Sequence, residues 1–75
     1  MEKRKDFEMR FGNIAVAKGF ITTDQLFEAI KIQVTEEIEE KKHRLIGMIL
    51  LDQGLMTIEQ INEVLEAMDM SAKDL

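Results

Sequence analysis

The stretch Arg10–Gln33, RFGNIAVAKGFITTDQLFEAIKIQ, decides the fold, because a weaker copy of it follows 35 positions later. Both copies place two glycines, a threonine and a glutamine among apolar residues in the same order. The identical pairs are Gly12 and Gly47, Ile14 and Ile49, Gly19 and Gly54, Thr22 and Thr57, Gln25 and Gln60, and Glu28 and Glu63. Such a chain is expected to fold as two similar units that bury their apolar faces against each other.

Each copy carries the signals of a short helix, a stop and a second helix. Glycine ends the first helix, because it adopts the left-handed conformation at no steric cost. A threonine followed three residues later by glutamine forms a capping box at the start of the second helix. These residues are Gly19, Thr22 and Gln25 in the first copy and Gly54, Thr57 and Gln60 in the second.

The apolar spacing predicts an all-α fold of four helices in two helix-turn-helix repeats, packed with pseudo-two-fold symmetry. The helices are expected at about 6–18, 23–41, 45–53 and 58–69. The chain is expected to be a single domain over residues 1–75, with the first repeat at 6–33, a connecting segment at 34–44, the second repeat at 45–69 and a loose tail at 70–75.

The core is predicted from the faces of these helices. The side chains expected to be buried together between the two units are Leu26, Ile30, Ile49, Ile61 and Leu65. Three methionines at apolar positions, which fill irregular gaps well, are also expected in the core: Met48, Met56 and Met68.

Composition narrows the possible functions. The chain has 75 residues, no cysteine and a net charge of −5, which argues against binding to a nucleic-acid polymer. No apolar run approaches the roughly 20 residues that span a bilayer, so we expect a cytoplasmic protein without membrane insertion. Basic residues cluster before the first helix of each copy, either as solvated loop charges or as a local anion site: Lys3, Arg4, Lys5 and Arg10, then Lys41, Lys42 and Arg44.

No catalytic constellation is present in the sequence, so we expect no enzyme, no metal site and no cofactor. The single histidine, His43, lies in a charged run and is expected to be a solvated loop residue. Gly12 and Gly47 each lie inside a predicted helix, where glycine costs about 1 kcal/mol relative to alanine. Their recurrence indicates that something approaches the backbone closely, either a neighbouring helix or a flat ligand.

The first copy resembles the N-terminal domain of type II secretion and type IV pilus assembly ATPases (the GspE N-terminal family), including the MshE type that binds cyclic-di-GMP. The residues that carry this resemblance are Arg10, Phe11, Gly12, Ala15, Val16, Gly19, Phe20, Ile21, Leu26, Ile30 and Gln33. In the second copy, Leu45 stands at the arginine position and Met68 at the glutamine position, while Arg44 lies one residue early.

The resemblance implies a candidate nucleotide site and a regulatory role. The implied ligand-binding residues are Arg10, Phe11, Gly12, Gln33, Arg44 and Gly47. Three functions stay open at this point. The first is a non-catalytic helical domain that docks on another protein. The second is a receptor for cyclic-di-GMP or a related nucleotide, and the third is a repeat-type scaffold.

Overall fold

The computed structural model describes the backbone of residues 2–73 and the side chains of residues 6–69. Over this range the chain is all-helical and has no strand, which confirms the predicted all-α class and its four α-helices. The elements are α1 at Glu2–Ala17, α2 at Thr23–Thr35, a π-helical segment at Glu36–Glu40, α3 at Ile46–Asp52 and α4 at Ile58–Lys73. The pseudo-two-fold symmetry of the packing stays a prediction.

Three helix ends differ from the sequence-based bounds. Helix α1 begins at Glu2, and α4 continues to Lys73, so the predicted loose tail is helical through residue 73. Residues 74 and 75 lie outside the described part of the chain. The second helix is α-helical only to Thr35, widens into the π segment, and ends where Lys41 takes a left-handed φ of 60°.

The two predicted glycine stops are present and use the same hydrogen bonds. Gly19 has φ of 79° and Gly54 has φ of 75°. The amide of the following residue donates back to the carbonyl five positions earlier, from Phe20 to Ala15 at 3.0 Å and from Leu55 to Leu50 at 2.9 Å. This is the Schellman arrangement, which satisfies carbonyls left over at a helix end.

Both predicted capping boxes are confirmed. In the first, the Gln25 amide donates to Thr22 Oγ1 at 3.1 Å and the Thr22 amide donates to Gln25 Oε1 at 2.9 Å. In the second, Gln60 and Thr57 make the same pair of bonds at 3.1 and 3.0 Å. Two of the four unpaired amides at the start of α2 and of α4 are therefore satisfied locally.

Replacing either cap threonine is expected to destabilise the protein by a similar amount. Thr22→Ala and Thr57→Ala should each lower the free energy of unfolding by about 1 kcal/mol, because each leaves a helix-start amide without its acceptor. Urea unfolding followed by circular dichroism measures both. Thr23→Ala, next to the first cap, is the control and should change stability by less than about 0.5 kcal/mol. Equal stabilities for all four proteins would contradict the role of the capping boxes.

The core draws on all four helices and on the connections that follow α1 and α3. Helix α1 packs on α3 and α4, and α2 packs on α3 and α1. The buried apolar residues are Phe11, Ala15, Ile21, Leu26, Ala29, Ile46, Ile49, Leu50, Met56, Val64 and Met68. The predictions for Leu26, Ile49, Met56 and Met68 are thus confirmed, and Ile30 and Ile61 pack partly buried at the edge of this core.

Two core predictions are wrong. Leu65 and Met48 are exposed, at 38% and 51% of their surface. Helix α4 turns Val64 into the core, and Leu65 lies about 100° further around the helix. Helix α3 buries Ile46 and Ile49, and Met48 falls on its opposite side.

Candidate functional site

A buried carboxyl group joins α1, α2 and α3. Glu8 on α1 is 7% exposed, and its Oε1 accepts hydrogen bonds from the Ile46 amide and from Gln33 Nε2, both at 2.7 Å. Gln33 Nε2 also donates to the Arg44 carbonyl oxygen at 2.9 Å. Gln33, predicted to contact a ligand, thus holds the segment before α3 against the first repeat.

Glu8 also supplies the cap that α3 lacks in its own sequence. Leu45 stands at the N-cap position of α3 and makes no side-chain cap bond. The first helical amide, that of Ile46, is satisfied by Glu8 from 38 positions upstream. Glu8 was not among the site residues predicted from the sequence. The available signal was its spacing, because Glu8, Phe11, Gly12 and Ala15 lie on one helical face.

The two helical glycines are explained by packing between helices. A Cβ added to Gly12 would lie 2.6 Å from Leu26 Cδ1, and one added to Gly47 would lie 3.1 Å from Phe11 Cζ. The Leu26 and Phe11 side chains are themselves buried. Of the two partners expected for these glycines, a neighbouring helix and a flat ligand, the structure contains the helix at both positions.

Arg44 lies in a clamp of two carboxylates. Its Nε and Nη2 donate to Glu36 Oε1 and Oε2 at 3.0 and 2.6 Å, and its Nη1 donates to Asp52. The bidentate hydrogen bond from Arg44 lowers the pKa of Glu36 below its usual value. The same contact with Glu36 raises the pKa of Arg44. The clamp ties the π segment to the far end of α3.

The clamp predicts an acid-dependent loss of stability. We expect Glu36→Gln to be less stable than the wild type near neutral pH, with the difference closing as pH falls below 4.5, the ordinary glutamate pKa. A carboxyl group whose pKa is lower in the folded state stabilises the protein at pH values above its unfolded-state pKa. This stabilisation is lost as the pH falls through the folded-state pKa. Urea midpoints between about pH 7 and pH 3 measure the difference.

Glu66→Gln is the control for this titration, since it removes one negative charge from an exposed position on α4. Its comparison with Glu36→Gln separates the loss of one exposed negative charge from the loss of the clamp. A Glu36→Gln offset that stays constant down to the lowest pH would contradict the clamp.

The six predicted ligand residues therefore differ in their contacts and in their exposure to solvent. Phe11 meets Gly47 in the contact between α1 and α3, and Gln33 meets the backbone of Arg44. Arg10 is exposed on α1, and none of these contacts connects it to the others.

A different surface, which runs from α2 into the π segment, carries exposed apolar side chains. Phe27, Val34 and Ile38 are 59%, 46% and 70% exposed. Phe27 and Val34 are seven residues apart on α2, so they lie along one side of that helix over about 10 Å, and Ile38 follows four residues later in the π segment. We call these three residues the α2 stripe. The other large exposed apolar residues are spread over α1, the linker, α3 and α4: Phe7, Met9, Leu45, Met48, Ile58 and Leu65.

An open groove lies on the same helix, beside the crossover that follows α3. It is lined by Asp24, Gln25, Glu28, Gln53 and Leu55. Among residues whose side chains are described, no group of three or more histidine, aspartate or glutamate residues is arranged to hold a metal ion. No helix within residues 2–73 has the length and apolar character needed to cross a membrane.

Comparison with protein-family models, with curated proteins and with solved structures gave no match to this chain. The resemblance of the first copy to the N-terminal domains of secretion and pilus ATPases therefore stays a hypothesis.

Proposed function

We propose that this chain is a non-catalytic helical interaction domain that docks on another protein through the α2 stripe. The observation that carries the proposal is the alignment of the exposed side chains of Phe27, Val34 and Ile38 along α2 and the π segment that follows it. An apolar line on a helix of a soluble domain is typical of a surface that another protein covers. Regulatory docking is also what the resemblance to secretion and pilus ATPase N-terminal domains implies.

The internal contacts favour this function over a nucleotide receptor. A cyclic-di-GMP site would need Gln33 and Arg44 to present polar groups to the ligand. Gln33 instead donates to Glu8 and to the Arg44 carbonyl, and the Arg44 guanidinium is bonded to Glu36 and Asp52. Ligand binding at these residues would first have to break those bonds, whereas docking on the α2 stripe requires no rearrangement of the core.

Site-specific photo-crosslinking in the producing cell tests the proposal. A crosslinking amino acid at Lys31, an exposed position on α2 in line with the α2 stripe, should yield a discrete adduct with one other protein. The adduct should disappear when Ile38→Ser is added, because that change removes the most exposed apolar contact. The same amino acid at Glu66, exposed on α4, is the matched control. Identical products from both positions, or an adduct insensitive to Ile38→Ser, would overturn the proposal.

Titration with cyclic-di-GMP tests the competing function separately. The receptor function predicts amide shifts at Arg10, Gly12 and Gln33 that are lost in Arg10→Ala. The docking proposal predicts that these amides stay unshifted at millimolar ligand. Saturable shifts at these three residues would assign the receptor function instead.

A further inference from the structure

We infer that the occupant of the α2 stripe is a basic amphipathic helix of the partner protein. This inference rests on the proposed function and adds the chemistry of the partner. Three observations support it: the straightness of the stripe, the acidic residues that border it, and the groove next to those acidic residues.

The shape of the α2 stripe suits a helix. Phe27 and Val34 follow one side of α2 over about 10 Å, roughly two helical turns, and Ile38 continues the line into the π segment. A helix that packs along this line presents apolar residues at the i, i+3 or i+4, and i+7 positions. A flat or globular partner would need apolar area on both sides of the line.

The border of the α2 stripe on one side is predominantly acidic. Asp24, Glu28 and Glu39 are exposed, and the last two directly follow Phe27 and Ile38 in sequence. At about 100° per residue, Asp24 and Glu28 form a row beside Phe27 on α2, and Glu39 follows Ile38 in the π segment. Lys31, the basic residue in this region of α2, lies between Phe27 and Val34 on the line of the stripe itself. A partner helix with lysine or arginine beside its apolar residues would pair with this row.

The groove gives such basic side chains a place to lie. Its walls combine the carboxylates of Asp24 and Glu28 with the amide of Gln53 and the apolar side chain of Leu55. Lysine and arginine have apolar stems with charged ends. The stem can pack on Leu55 while the charged end reaches the two carboxylates.

The same charges disfavour a second copy of this chain as the occupant. The protein carries a net charge of −5, so self-association would bring two acidic molecules together. Packing α2 antiparallel on itself would also place the Asp24 and Glu28 end opposite the Glu39 end of the other copy. Like charges brought together across an interface oppose its formation.

Binding of a designed peptide tests the inference on the full chain. The probe is a fluorescein-labelled helix of about 18 residues with leucine at i, i+3, i+4 and i+7 and lysine beside them. One control peptide has glutamate in place of lysine, and a second has the basic composition with scrambled leucine positions. Anisotropy should show saturable binding of the basic helix, at least about tenfold tighter than either control, and weakening as salt is added.

Protein variants localise the binding. Phe27→Ser with Ile38→Ser should abolish it, and Ile58→Ser, which removes an exposed isoleucine from α4, should leave it unchanged. Glu28→Lys with Glu39→Lys should reverse the preference toward the glutamate peptide. Circular dichroism melts confirm that the variants are folded. Equal binding of scrambled and patterned basic peptides, or binding that survives Phe27→Ser with Ile38→Ser, would overturn the inference.

The outcomes also separate this inference from the proposed function. An adduct at Lys31 that needs Ile38, together with no preference for the basic peptide, would leave the docking surface standing and overturn the basic helix as its occupant. A dimer in sedimentation equilibrium that is lost on Ile38→Ser would assign the surface to a second copy and also overturn it.

Discussion

The Ile49→Ala variant is expected to lose about 2–5 kcal/mol of unfolding free energy, a large part of the stability of so small a domain. Ile49 is completely buried in α3, among residues from all four helices. Removing its side chain withdraws apolar contacts and leaves a cavity that α3, anchored at both ends, is poorly placed to close. Urea unfolding at neutral pH measures the loss.

Met48→Ala is the matched control on the neighbouring residue. Met48 is half exposed, so its truncation should change the unfolding free energy by less than about 0.5 kcal/mol. The contrast between two adjacent residues tests the rotation of α3 about its own axis. Comparable losses for Ile49→Ala and Met48→Ala would show that α3 is turned differently.

Glu8→Ala is expected to lower the free energy of unfolding by about 2–3 kcal/mol, although it changes a single acidic residue in the middle of the first helix. Its carboxyl oxygen satisfies both the Ile46 amide and Gln33 Nε2 inside the protein. Truncation leaves the buried Ile46 amide and the partly buried Gln33 Nε2 without this acceptor, which costs more than the loss of a surface charge. Chemical denaturation measures this loss.

Two further variants make the Glu8 result specific. Glu66→Ala, an exposed glutamate on α4, should stay within about 0.5 kcal/mol of the wild type. Glu8→Ala and Gln33→Ala should be less than additive when combined, because the two residues share one hydrogen bond. Full additivity would contradict the contact between them.

Features set by neighbouring residues could be predicted from the sequence. The capping boxes and the glycine stops depend on hydrogen bonds that span three to five positions. The capping boxes begin at Thr22 and Thr57, and the stops are Gly19 and Gly54. Their geometry follows from the chemistry of a few residues. The number of helices and their approximate bounds follow from these local signals.

The rotation of each helix against its neighbours could not be predicted in the same way. Met48 and Leu65 are apolar and lie beside core residues in sequence, but α3 and α4 turn them outward. A helix as apolar as α3 has more apolar side chains than can pack in the core at the same time. The choice among those positions depends on tertiary packing, which no single copy of the repeat encodes.

The candidate site differs from its prediction for a related reason. Gln33 and Arg44 are polar residues at positions that resemble a ligand-binding pattern, and sequence spacing treats such residues as available. In the structure, the side chain of Gln33 donates a hydrogen bond to Glu8, and that of Arg44 donates to Glu36 and Asp52. These pairings join residues 8 to 25 positions apart, and side-chain partners at such separations do not follow from helical periodicity.

The carboxyl group that caps α3 has a consequence for folding cooperativity. Helix α3 has seven residues, too few to be stable alone in water, and its first amide is bonded to a residue 38 positions upstream. The chain must therefore close that long loop before α3 acquires its full set of bonds. The second repeat then depends on the first for its own completion. The two halves, although alike in sequence, are expected to unfold together in a single transition.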